Sequence, residues 1–339
     1  MFKRLTMMIA AGLLAMAGTA SAATLINGAG ATFPYPLYSK WFSDYAQIDP
    51  SVKFNYQSIG SGGGIKQITA QTVDFGASDK FLSDAELQAA PGKLLHIPTV
   101  MGAVVVIYEL PGISKGLKLS SQDLADIFLG KITKWNDRRI ADENPGMTLP
   151  DKPIVVVHRS DGSGTTSIFT DYLTAVNEEW AAKVGKGASV KWPIGLGGKG
   201  NEGVAGQVKN IQYSIGYVEL AYAVENKLPY AYPKNSEGQY VEPTIKSISA
   251  AAAGAVKNMP RDYRVSLVNQ PGKNTYPVVG FTWLLVYEQQ KDKVVGRKIV
   301  EFLNWSLHKG QKMAAPLLYA PLPEQVVKLV EKTIKQIKY

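Results

Sequence analysis

Short apolar runs alternate with stretches in which apolar residues recur every three or four positions, and this rhythm persists through most of the chain. Runs at 54–57, 73–77, 103–108, 154–158, 215–217 and 278–287 are short and rich in branched and aromatic residues, which predicts strands. Between and after them, 35–47, 65–72, 120–128, 166–177, 200–210 and 291–308 carry helical spacing. Strand and helix in alternation predict an α/β fold with largely parallel sheets. No internal repeat or low-complexity linker interrupts the pattern, so two domains would be joined by strands or short hinges. The closing stretch 328–338 alternates Val, Leu and Ile with Lys. It predicts an amphipathic helix packed on the body with its lysines in water.

The first residues follow a different pattern. Lys3 and Arg4 precede an apolar run, 5–17, and Ala20-Ser21-Ala22 then offers small residues at a cleavage site. Charge, apolar run and small residues in that order predict a secretory signal over residues 1–22, with a mature chain from about Ala23. The run is too short for a membrane span. No cysteine follows it to carry a lipid.

Composition narrows the chemistry. A chain of 339 residues is long for one core, which favours two domains. Zero cysteines exclude disulfides, thiolate catalysis and cysteine zinc sites. Three histidines, His96, His158 and His308, are too scattered to suggest a metal. No catalytic residue, metal or cofactor is expected. The net charge of +9 falls to +7 without Lys3 and Arg4 and is dispersed. In an exported protein, nucleic acid is not an expected partner.

Three segments each place glycines and hydroxyls just before a predicted helix. They are Gly28 to Pro34, Gly60 to Gly64, and Ser160 to Thr166. The first turn of a helix has unpaired N–H donors and the positive end of its dipole. Glycine lets an anion approach that backbone, and Thr32 can cap the first of these helices. Each segment alone reads first as an ordinary cap. Three together point to an oxyanion site. None contains the Walker pattern, which argues against nucleotide hydrolysis.

Two charged features refine the anion. Arg159 can fork onto an oxyanion while Asp161 orients it, or the two can form a local ion pair. Asp79 is either a cap for a helix starting near Ser83 or a carboxylate inside the site. In the second role it repels a fully deprotonated anion such as sulfate. It accepts a hydrogen from phosphate, which keeps a proton near neutral pH.

These motifs resemble those of the periplasmic phosphate-binding proteins of phosphate ABC transporters. The likeness lies in GAGATFP at 28–34, YQSIGSGG at 56–63, TVDFGASD at 72–79, LGKITKW at 129–135, RSDGSGT at 159–165 and VKWPIGLGGKG at 190–200. The resemblance implies a type II periplasmic-binding-protein fold: two lobes, a cleft between them, and two hinge crossings, near 98–102 and 276–280. Lobe 1 would comprise 23–98 plus 279–339, and lobe 2 would comprise 99–278. It implies that phosphate is bound by Ala31, Thr32, Phe33, Ser61, Asp79, Arg159, Asp161, Ser163, Gly164 and Thr165. The glycine-rich stretch 192–203 is taken as structural. The implied setting is a soluble periplasmic monomer. It would deliver phosphate to a membrane ABC importer of two permease and two ATPase subunits. Hydrogen bonds to a charged group contribute roughly 1.5–3 kcal/mol each. A micromolar site needs only about 8 kcal/mol, so micromolar affinity or better is expected.

Three alternatives remain at this level. One is a binder of another tetrahedral oxyanion, such as sulfate or arsenate. Another is a secreted phosphatase, for which His158 is the tempting base. The third is a secreted surface or adhesive protein that merely keeps the fold.

Overall fold

The computed structural model describes residues 23–114, 116–256 and 259–339; the expected signal, 1–22, lies outside them. Ten strands are described: β1 Thr24–Gly30, β2 Val52–Ser58, β3 Phe75–Ser78, β4 Leu94–Tyr108, β5 Lys118–Leu119, β6 Val155–Arg159, β7 Leu196–Gly198, β8 Ser214–Glu219, β9 Tyr232–Pro233 and β10 Val279–Tyr287. The helices of the first half of the chain are α1 Tyr35–Ile48, α2 Ser61–Thr69, α3 Asp84–Gln88, α4 Ser121–Phe128, α5 Arg138–Glu143 and α6 Gly164–Val176. They are followed by α7 Glu178–Lys183, α8 Gly200–Asn210, α9 Leu220–Glu225, α10 Ile245–Val256, α11 Lys293–His308 and α12 Glu324–Ile334.

Eight strands form one sheet in the order β2-β1-β3-β10-β4-β8-β6-β7. Its two margins are parallel: β1 with β2 and β3, and β6 with β7 and β8. Its centre is antiparallel, which corrects the expectation of largely parallel sheets. β10 runs against both β3 and β4, and β4 against β8. The reason is topological. β10 comes from the returning end of the chain and enters beside β3 and β4 from the opposite direction.

β4 is shared. It pairs with β10 over Leu94 to Ala103 and with β8 over Val104 to Tyr108. All 15 of its residues are buried, as are all nine of β10. Strands covered on both faces read as continuous apolar runs, and these two do. The apolar run Pro98 to Tyr108, which suits a buried strand, lies within β4, and the strand begins earlier, at Leu94.

Each margin has its own aromatic core. Phe42 stacks on Phe54 at 4.7 Å, with Phe302 against Phe54 at 4.6 Å and Trp305 against Tyr45 at 5.3 Å. On the other side Phe169 stacks on Tyr217 at 4.4 Å and meets Phe128 at 4.9 Å. The C-terminal helix α12 buries Val326, Val330 and Ile334, and Lys328 pairs with Glu324 on its outer face. This is the packing its alternation predicts.

α2 starts at Ser61, four residues before the expected start at 65. Three consecutive glycines are poor helix formers, but packing compensates. A methyl at Gly64 would lie 2.6 Å from the Gly30 Cα and 2.7 Å from the carbonyl oxygens of Ala29 and Ala77. The helix start therefore presses on the ends of β1 and β3, and every obstructing atom is backbone. Gly64→Ala gains about 0.5–1 kcal/mol of helix propensity and loses about 1–3 kcal/mol to overpacking. Urea unfolding should show the variant less stable than the parent.

Candidate functional site

The parallel strands of both margins end facing the same cleft, and each leads into a helix start. β1 leads to the turn before α1, β2 to α2, β6 to α6 and β7 to α8. In open α/β sheets this carboxyl end of the strands is where ligands bind.

The turn 31–33 is held by its carbonyls. Tyr56 donates to the Ala31 oxygen at 2.7 Å, Tyr222 to Thr32 at 2.6 Å and Tyr319 to Phe33 at 2.6 Å. With the carbonyls tied back, the N–H groups of Thr32 and Phe33 have no acceptor among the described residues. Ala31 differs. Its N–H donates to Ala77 O at 2.9 Å, so both its backbone groups are engaged. It shapes the turn, with its N–H already given to Ala77. Thr32 does not cap α1 either. The N-cap is Pro34, and the Thr32 hydroxyl turns the other way, to Asn201.

At α2, Ser61 is fully buried, and its Oγ accepts from the Asp79 N–H at 3.1 Å. At α6, the Ser163 oxygen accepts from the Thr166 N–H at 3.0 Å. The first-turn N–H groups of Gly164 and Thr165 stay free of the helix ladder. The two helix starts meet. Gly62 N–H donates to Gly162 O at 2.8 Å, and a Cβ on Gly164 would run into Asp79 Oδ2 and Ser61 Oγ. Residues about 100 positions apart thus share one small volume.

Arg159 and Asp161 form a two-point pair, Nε to Oδ1 at 2.8 Å and Nη2 to Oδ2 at 2.6 Å. Arg159 Nη1 also reaches Thr165 Oγ1 at 3.3 Å. Burial works against charge on Asp161. The guanidinium outweighs it, helped by the Gly200 N–H at 3.0 Å, and holds the carboxyl below its ordinary range. The cation is therefore largely neutralised from behind, and an anion here is met mainly by dipoles.

Asp79 does not cap the next helix. Ser83 does that, in a reciprocal box with Glu86. Asp79 is 4 % exposed, and its Oδ1 accepts no hydrogen bond within the chain. Burial pushes its carboxyl up to about 7, while the nearby Thr282, Arg159 and Ser61 pull the other way. A buried, half-satisfied carboxylate is costly unless something donates to it. The cluster therefore contains many donors, and Asp79 brings to it an acceptor with spare capacity. That suits a tetrahedral oxyanion that still carries a proton.

Sequence reasoning missed Asn201. It is fully buried, and its Nδ2 donates to Thr32 at 2.7 Å and to Thr165 at 3.1 Å. The stretch 192–203, taken as structural, thus brings a side chain into the cluster, and the Gly200 N–H supports Asp161. An asparagine at a glycine-rich helix start was the available signal. His158 lies outside the cluster. It stacks on Trp192 at 4.8 Å and makes a hydrogen bond through Nδ1 to the Arg159 carbonyl. Among the described residues no group of three or more His, Asp or Glu side chains could hold a metal ion, and no helix is long and apolar enough to cross a membrane.

A family model described as the PBP superfamily domain matches residues 17–309. The chain is 50% identical over 307 residues to the phosphate-binding protein PstS of Xylella fastidiosa, covering 90% of this chain and 84% of that one. It is also 50% identical over 310 residues to the phosphate-binding protein PstS of Pasteurella multocida, covering 91% and 89%. In three dimensions it resembles a high-affinity periplasmic phosphate-binding protein, PfluDING, solved with phosphate bound. The TM-score is 0.73 at 24% identity, covering 91% and 93% of the two chains. With its strand order, its paired helix starts and these relatives, the chain belongs to the PstS phosphate-binding proteins of the PBP superfamily.

Proposed function

We propose that this chain binds one inorganic phosphate between two lobes and delivers it to a membrane ABC importer. The observation that carries this reading is the meeting of Ser61 and Asp79 with Gly164 in the cleft, beside Arg159. The lobes are 23–98 plus 279–339, and 99–278. β4 and β10 are the strands through which the chain passes between them. Thr32, Phe33, Ser61 and Asp79 belong to the first lobe, and Arg159, Asp161, Ser163, Gly164 and Thr165 to the second. A ligand touching both favours the closed arrangement by its differential affinity for it.

Each part has a distinct task. The N–H groups of Thr32, Phe33, Ser61, Gly164 and Thr165, with the hydroxyls of Ser61 and Ser163, donate to phosphate oxygens. Arg159 adds a directed charge, and Asp161 holds its plane. Asp79 accepts the P–OH hydrogen, which sulfate lacks at neutral pH. The protein acts in the periplasm, after loss of residues 1–22, as a monomer serving two permease and two ATPase subunits. Binding is its whole task, with no chemical step.

Calorimetric titration tests the reading. Phosphate should bind at micromolar or tighter affinity, at least about 100-fold tighter than sulfate at pH 8. Arsenate, which keeps a proton, should bind more weakly but measurably. Heat from sulfate equal to that from phosphate would overturn the assignment. So would steady turnover of an aryl phosphate.

A further inference from the structure

The side-chain amide of Asn201 sits at the seam of the cluster and touches a hydroxyl from each side. Its Nδ2 donates to Thr32 Oγ1 at 2.7 Å and to Thr165 Oγ1 at 3.1 Å. Thr32 Oγ1 also accepts from the Asn201 backbone N–H at 3.3 Å, and Thr165 Oγ1 from Arg159 Nη1 at 3.3 Å. A threonine hydroxyl has two lone pairs and one proton. On each of these two hydroxyls both lone pairs are already engaged, so only the proton is left to make a bond.

The amide is oriented by its other end. Asn201 Oδ1 accepts from the Glu219 N–H at 3.0 Å, and a flipped amide would set NH₂ against that N–H. Glu219 is itself anchored, since its Oε2 accepts from the Ala221 N–H at 2.8 Å and lies 3.1 Å from the Tyr319 hydroxyl. Among the described residues the competing acceptor for a threonine proton is Asn201 Oδ1, 3.5 Å from Thr165 Oγ1. That distance is the outer limit of a hydrogen bond, and the oxygen already serves Glu219.

We propose that Asn201 is a positioning residue that turns the hydroxyl protons of both Thr32 and Thr165 toward the bound anion. This rests on reading the cluster as a phosphate site. Both hydroxyls then meet phosphate as fixed donors and cannot accept from it. The P–OH group is thereby excluded from their side and directed to Asp79. Asn201 thus contributes to affinity through two other residues, and to the orientation of the ligand proton.

The test is a set of phosphate titrations on the full mature chain. Asn201→Ala should weaken binding about 10- to 100-fold, the loss expected when two hydrogen bonds to a charged ligand are left unoriented. Thr32→Val/Thr165→Val should weaken it by a similar or larger factor. Adding Asn201→Ala to that double variant should cost less than about threefold, because its targets are gone. An undiminished loss in the Val background, or no loss in the parent, would overturn the proposal while leaving the phosphate site intact. A wild-type chain that binds no phosphate would overturn both. Neutron diffraction of the wild-type phosphate complex does not depend on any variant folding. Both threonine deuterons should point at phosphate oxygens, and one pointing at Asn201 Oδ1 would refute the assignment.

Discussion

Arg159→Ala should weaken phosphate binding by roughly 1,000-fold or more in calorimetric titration. The guanidinium has five N–H groups. Three are committed, two to Asp161 and one to Thr165, so two remain for the anion. Each hydrogen bond between charged groups contributes roughly 1.5–3 kcal/mol. The second part of the loss is electrostatic. Without Arg159, Asp161 becomes a half-buried carboxylate left with backbone N–H donors, Gly200 among them, and it repels the ligand. Arg159→Lys should recover part of the charge and none of the two-point geometry, ending about 100-fold below the parent. Near-ultraviolet circular dichroism would separate lost binding from lost fold. An alanine variant binding within tenfold of the parent would show that the guanidinium is not a ligand contact.

Asp79→Asn should raise sulfate affinity at pH 8 by roughly 10- to 100-fold and lower phosphate affinity by a similar factor. The carboxylate repels sulfate and accepts the phosphate proton; the amide has no charge to repel with, can donate to sulfate through its NH₂, and accepts the phosphate proton only through a neutral, weaker oxygen. Titration with both anions reads the two shifts together, and unchanged sulfate binding would sink this account of selectivity. The same carboxyl carries a stability signature in the ligand-free protein. Its folded value of about 7 lies above the ordinary 3.8, so the folded chain holds an extra proton between those values. Stability from this group is full below about pH 4 and is lost as pH rises through about 7. Asp79→Asn should remove that slope and stabilise the ligand-free chain at pH 8 by up to ~4 kcal/mol. Urea melts from pH 5 to 8, without phosphate, would show the wild type falling toward the variant's level and below it.

The two effects share a cause. The unpaired Asp79 Oδ1 destabilises the empty protein and selects the ligand that completes it. Conditions that protonate Asp79 should accordingly blur the distinction between the two anions, because a neutral carboxyl can donate to sulfate.

Several elements were legible because their signals are local. Apolar spacing over 35–47 and 166–177 corresponds to α1 and α6, and the continuous run over 278–287 to β10. The three glycine-rich helix starts were recognisable for the same reason, since unpaired N–H groups belong to any helix terminus. β1 was not legible. It ends in Asn-Gly-Ala-Gly, residues that signal a turn, yet Gly28 lies flat in the strand because the Phe75 ring fills the space a side chain would take. Nor was the antiparallel centre of the sheet, because strand direction depends on where the returning chain enters.

The chain's own residues settled which groups could meet an oxyanion: hydroxyls, bare amides, one arginine and one aspartate at strand ends. Folding settled how many of them are free to do so. Ala31 lost its donor to a neighbouring strand, Asn201 gained a role from 169 positions away, and Asp79 acquired its raised affinity for a proton by burial. Donor capacity is a property of a residue type and its local backbone. Spare capacity depends on which distant partners have already claimed it, and that is decided only in three dimensions.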